Sequence, residues 1–145
     1  MLRNTMIKQV PLEKINEMNK GTLMEHLAIV FTEIGENYLV AEMPVDNRTH
    51  QPLGLLHGGA SAALIESIGS LGSALLLDLE KEVPVGLEIN ANHLRGMKSG
   101  TVVARAEIIH KGSKTHVWNA VLTEKETGKK VCIGRLTVMV VPAGS

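Results

Sequence analysis

Residues 51–77 read QPLGLLHGGASAALIESIGSLGSALLL, an apolar run in which Glu66 is the one formally charged side chain. From residue 58 onward the apolar residues do not alternate. Ala60, Ala63, Leu64, Ser67, Ile68, Leu71 and Leu75 recur at intervals of three and four, which is the spacing of one helix face. The stretch 58–77 is therefore expected to be a helix, and because it is apolar nearly all round it must be enclosed on most sides. Twenty residues at roughly 1.5 Å each would also cross a bilayer. Four Gly, four Ser and Glu66 dilute the aliphatic content too far for that reading, so no membrane association is expected.

Outward from this segment the pattern changes. Residues 11–20, PLEKINEMNK, place Leu12, Ile15 and Met18 at helical spacing, with Gly21 as a stop. Residues 22–34, TLMEHLAIVFTEI, and 38–45, YLVAEMPV, read as two strands joined by a turn at 35–37. A polar, turn-rich loop occupies 46–56. After the central helix come four runs of strand type, 84–95, 100–110, 115–126 and 129–141, separated by Gly-containing turns. Val102, Ala104, Ala106 and Ile108 alternate with Val103, Arg105 and Glu107, as expected of a sheet with one buried face. A long antiparallel sheet curled around one helix satisfies both patterns, an α+β architecture called the hotdog fold.

The chain of 145 residues suits one domain spanning 1–145. Its 44% hydrophobic and 21% charged residues exclude the disordered class. Fifteen basic residues balance fifteen acidic ones, so no overall field points to nucleic acid as a partner. The lone Cys132 cannot form an intrachain disulfide, and the opening MLRNTMIKQV holds no signal-peptide-like apolar run, so a cytoplasmic protein is expected.

The candidate chemistry lies at the start and middle of the helix. First-turn N–H groups have no intrahelical acceptor and carry the positive end of the helix dipole. Gly59 N–H is thus a candidate oxyanion donor, or else the paired glycines serve close packing. Glu66 stands seven residues on, about 10 Å along the axis and on the same face. Burying a lone carboxylate costs several kcal/mol unless it is paired, protonated or wetted by a cavity, so Glu66 is a candidate for function. His57 precedes it by nine residues, roughly 13 Å, too far for both to serve one small reacting group in one chain. If both serve one site, Glu66 arrives from a second subunit across a two-fold axis. The small residues Ser67, Gly69, Ser70 and Gly72 suit either close approach of two such helices or packing within the chain. Gln51 has an amide able to donate to a carbonyl. Six scattered His show no metal-ligand spacing, so no metal is expected.

On QPLGLLHGGASAALIESIGS, VGLEINANHLRG and HKGSKTHVW, in that order, the chain resembles the hotdog-fold acyl-CoA thioesterases, the group of phenylacetate-pathway, hydroxybenzoyl-CoA and 1,4-dihydroxy-2-naphthoyl-CoA thioesterases. The resemblance extends from about residue 12 to about residue 140. It is nearest the dihydroxynaphthoyl-CoA type, which brings menaquinone biosynthesis into view. It implies Glu66 as nucleophile or general base, Gly59 N–H polarising the thioester carbonyl, Gln51 and His57 aligning it, and Ser70 orienting water or the carboxylate. It further implies substrate and coenzyme A contacts at Gly86, at His93, Leu94, Arg95 and Gly96, and at His110, Lys111, Gly112, Ser113, Lys114 and Thr115. No cofactor is implied. The implied assembly is a homodimer with shared active sites, within a tetramer.

Two departures qualify that picture. Lys114 stands where the family often has Arg, and Lys makes a point-charge contact rather than a bidentate fork. Leu53 stands where an aromatic is common. With Phe31, Tyr38 and Trp118 the only aromatics, the acyl pocket is expected to be lined mainly by Leu, Ile, Val and Met. Thioester hydrolysis is the leading reading, of an acyl-CoA or an acyl-carrier-protein substrate. The alternatives are an enoyl-thioester hydratase, which would need a His–carboxylate pair acting at carbon, and a non-catalytic acyl-CoA sensor.

Overall fold

The computed structural model describes residues 6–145; residues 1–5, part of the opening stretch read for a leader, lie outside the described residues. The elements run α1 (Leu12–Glu17), α2 (Leu23–His26), β1 (Val30–Ile34), β2 (Tyr38–Pro44), α3 (Gly58–Leu76), β3 (Glu82–His93), β4 (Thr101–Lys111), β5 (Thr115–Glu124) and β6 (Lys130–Pro142). The strands form one six-stranded antiparallel sheet in the order β1-β2-β4-β5-β6-β3. This is the expected hotdog arrangement, with α3 as its central helix.

The alternation read along β4 is the burial pattern observed from Val102 to Ala106, and β2 and β5 alternate in the same way. Leu39, Ala41 and Met43 on β2, Val102, Ala104 and Ala106 on β4, and Trp118, Ala120 and Leu122 on β5 all face inward and are fully buried. Small residues line up across the sheet in register, Ala106 beside Ala120, Ala120 beside Gly134, and Gly134 beside Ala91. That row lets the helix sit low on the sheet: a Cβ on Gly134 would lie 2.7 Å from Ile65 Cδ1. From α3, Leu64, Ile65 and Ile68 are buried in return, each contributing on the order of 1.5–3 kcal/mol of transfer free energy. By length and composition α3 could cross a membrane, yet it is the core helix of this fold.

For Gly69 and Gly72, two of the four small residues singled out on α3, the contacts lie within the chain. A Cβ on Gly69 would lie 2.6 Å from Leu136 Cδ2, and one on Gly72 would enter the Trp118 ring. These two glycines serve packing on the chain's own sheet. At the far end of α3, Lys8 N donates to Leu75 O (3.1 Å) and Lys8 Nζ to Leu77 O (2.6 Å), supplying cationic and N–H partners to the negative end of the helix.

The structure corrects one expectation. Residues 22–34 are not a continuous strand: Leu23–His26 form α2, and only Val30–Ile34 pair in the sheet. Thr22 caps the helix by accepting from Met24 N (3.2 Å), and Ala28 turns the chain at φ 53° before β1 begins. Cap and turn override the apolar run that suggested a strand.

Candidate active site

The loop before α3 is held by its own polar side chains. Arg48 binds Asp46 at 2.6 Å, and this side-chain bond, together with the Arg48 N–H, holds the Asp46 carboxyl down at about 2. Thr49 Oγ1 donates to Pro44 O (2.7 Å), and His57 N donates to Thr49 O (2.8 Å). These bonds fix where α3 starts. Gln51 is drawn into the same loop: its N donates to Leu55 O (2.8 Å), and its Oε1 accepts from Leu53 N.

At the helix tip the geometry differs from expectation. His57 is the N-cap residue, and its Nδ1 accepts from Gly59 N at 2.8 Å. The Gly59 N–H expected to meet a carbonyl is therefore already engaged. Gly58 N donates to no acceptor among the described residues. With Nδ1 accepting, a neutral His57 ring carries its proton on Nε2. Two donors are then presented at the positive end of the dipole, Gly58 N–H and His57 Nε2–H.

A cavity of about 370 Å³ opens beside this tip, lined among others by Gln51, Gly58, Ser61, His93, Leu94 and Arg95. A Cβ on Gly58 would lie 2.8 Å from His93 Nε2, so the bare glycine lets the His93 ring rest against the helix tip. Leu55 packs over Gly96 at the edge of the same cavity. The structure thus brings Gln51, Gly58 and the 93–96 stretch together around one cavity, with the exposed His57 next to Gly58 in the chain.

Glu66 lies two turns further along α3 and is only partly buried. Its carboxylate lines a second, apolar cavity of about 420 Å³ between α3 and the α1–α2 segment, whose walls include Met18, Leu23, Met24, Phe31 and Leu71. Ser70 Oγ donates to Glu66 Oε1 at 3.4 Å, and no cation pairs with Glu66 among the described residues. Of the ways to relieve a carboxylate on an apolar helix, contact with a cavity is the one observed. The carboxylate also lies against Gly86 of β3. The part of the wall formed by Leu23 and Met24 belongs to α2, where the sequence pattern suggests a strand instead.

The 110–115 group lies elsewhere. Gly112 N donates to Thr115 O (2.8 Å) in the β4–β5 turn, and a cavity of about 250 Å³ there is lined by Leu77, Asp78, Glu82, Lys111, Ser113 and His116, among others. This is the C-terminal end of α3, roughly 28 Å along the helix from Gly58. One chain does not bring His93 and Arg95 together with His110, Lys111 and Lys114. Among the described residues no group of three or more His, Cys, Asp or Glu is placed to hold a metal ion.

Comparisons with known proteins identify the family and the fold. The thioesterase superfamily model matches residues 53–131, more than half of the chain. The 1,4-dihydroxy-2-naphthoyl-CoA hydrolase of Escherichia coli K12 is 45% identical over 92% of this chain and 96% of its own length. The proofreading thioesterase EntH of Cronobacter sakazakii is 42% identical over the same shares. Among solved structures, a mutant thioesterase of Pseudomonas aeruginosa superposes with TM-score 0.91 at 50% identity, covering 94% of this chain and 99% of that one. A thioesterase of Haemophilus influenzae gives TM-score 0.91 at 43% identity, covering 97% of both chains. The chain belongs to the thioesterase superfamily and is a thioester hydrolase of hotdog fold.

Proposed function

We propose that the protein hydrolyses an acyl-CoA thioester, with Glu66 as the group that attacks the carbonyl or activates water. The observation that carries this reading is Glu66 itself, a carboxylate unpaired with any described cation at the wall of an apolar cavity large enough for an acyl group. As general base, Glu66 takes a proton from water while the water oxygen bonds to the thioester carbon. The carbonyl oxygen becomes an oxyanion, the C–S bond then breaks, and the thiolate leaves with a proton, giving free acid and thiol. As nucleophile, the carboxylate bonds to the thioester carbon, the C–S bond breaks to release the thiolate, and water then cleaves the resulting mixed anhydride to free acid and the Glu66 carboxylate.

In this reading the oxyanion sits at a helix tip, held by Gly58 N–H rather than Gly59 N–H, with His57 Nε2–H and Gln51 aligning the carbonyl. Gly58 and Glu66 are about 12 Å apart along α3, so the two halves of the site come from two subunits. Two features of β3 support a second copy of this chain beside it. It is an edge strand, and Val85, Leu87 and Ile89 on it are 48%, 55% and 37% exposed. Two copies joined antiparallel at this edge would set one helix tip near the partner subunit's Glu66. The same pairing would carry the partner subunit's 110–115 turn toward His93 and Arg95, so that both cationic groups share one coenzyme A.

Thiol release across a panel of aryl and aliphatic acyl-CoA substrates tests the assignment. Glu66→Gln is expected to lower kcat by roughly 10² or more with the fold intact. Wild-type turnover by that variant would sink the role given to Glu66.

A further inference from the structure

Gly86 was read above as a substrate contact, but its surroundings suggest another task. Its backbone is not left-handed, so the strand conformation itself does not call for glycine. Glycine inside a strand is unfavourable and often marks a bulge or a close approach. Both are present. The register of β3 on β6 shifts between Gly86 and Glu88, and a Cβ on residue 86 would lie 2.5 Å from Glu66 Oε1, 3.4 Å from Cδ and 3.7 Å from Oε2. The bare Cα of Gly86 is therefore the seat of one carboxylate oxygen, with the Ser70 hydroxyl 3.4 Å from that same oxygen.

We infer that Gly86 is a positioning residue, acting through Glu66 by leaving open the place where the reactive carboxylate rests. This inference stands on the proposed role of Glu66. A methyl group at 86 must push Oε1 back by at least 0.5 Å, since carbon–oxygen contacts below 3.0 Å do not persist. The contact yields most cheaply at the flexible end, by the Glu66 side chain swinging about its own torsions away from β3. The displacement moves the oxygen that must meet water or the thioester carbon, and reacting groups tolerate little of that. An error near 1 Å can cost about 10²-fold. The bulge contributes by bending β3 locally beside α3, as bulges near active sites do.

The test is a double-mutant cycle. Gly86→Ala is expected to lower kcat by roughly 10- to 100-fold, with KM within about 3-fold and the melting temperature within a few degrees of wild type. Glu66→Asp withdraws the carboxylate by one methylene, out of reach of the new methyl. Adding Gly86→Ala to Glu66→Asp should then change kcat by less than about 2-fold. An equal loss in both backgrounds, an unchanged kcat in Gly86→Ala, or a Gly86→Ala protein that does not fold would each overturn the inference. Glu66→Gln is measured alongside. Full turnover there defeats the reading of Glu66 itself, whereas an inactive Glu66→Gln with an indifferent Gly86→Ala defeats only the role of Gly86.

Discussion

Ser73 and His116, both fully buried, are joined by a 3.0 Å hydrogen bond between Oγ and Nδ1. Trp118 Nε1 donates to the same Ser73 oxygen at 2.9 Å. This three-residue junction ties the C-terminal half of α3 to β5. Burial, reinforced by the charges of Lys111 and His110, pushes the His116 pKa from 6.5 down to about 4. Asp78, Glu82 and Lys111 line the cavity that His116 also borders.

A pH dependence of stability follows. Between about 6.5 and 4 the unfolded chain protonates this imidazole and the folded chain does not, so unfolding takes up a proton and stability falls as pH falls. Across that window the loss from His116 is on the order of 3 kcal/mol. Urea midpoints taken from pH 7.5 to 4.5 should show the decline in wild type and a flatter profile in His116→Gln. The variant should itself be less stable at pH 7.5, because it disturbs the bond to Ser73. Equal slopes in the two proteins would refute the assignment.

Gly72 sits over the face of Trp118, and helix propensity and packing make opposite predictions for it. Replacing a helical Gly by Ala ordinarily stabilises by about 1 kcal/mol. Here the new methyl would stand 2.6 Å from Trp118 Cζ2, on a fully buried ring pinned through Nε1. Overpacking of this kind costs about 1–3 kcal/mol and should win. Gly72→Ala is expected to melt lower than wild type, and a higher melting temperature would show that the ring is free to move aside.

The parts of the fold legible in the sequence were those with a repeated period. The inward alternation of β4 stands from Val102 to Ala106, and α3 is the helix its three-four spacing predicts, although its buried face is turned from the one read: Ser61, Ile65, Gly69 and Gly72 are buried while Ala63, Ser67 and Leu71 are only partly so. The segment 22–34 went wrong because a single capping Thr22 and one left-handed residue, Ala28, decided its course, and neither carries a periodic signal. The site was legible in part for the same reason. Glu66 stood out as a charge on an apolar face. Its seat against Gly86 depends on a bulge in a strand some twenty residues away, which no spacing reveals. The engagement of Gly59 by His57 is likewise a matter of one ring orientation.

His57 combines a structural and a chemical task that two substitutions can separate. Its Nδ1 caps α3 by accepting from Gly59 N, and its Nε2–H is the donor offered toward the substrate in the proposed site. Asn is a good N-cap residue but has no donor at the position of Nε2, whereas Ala has neither group. His57→Asn should keep its stability within about 0.5 kcal/mol of wild type, while His57→Ala should lose about 1 kcal/mol. Both should lose kcat by roughly 10- to 100-fold, the range for a removed donor to a developing oxyanion. Chemical denaturation and initial rates on the same samples resolve the two effects. An active His57→Asn would mean that the ring serves only as a cap, and that Gly58 N–H and Gln51 hold the carbonyl without it.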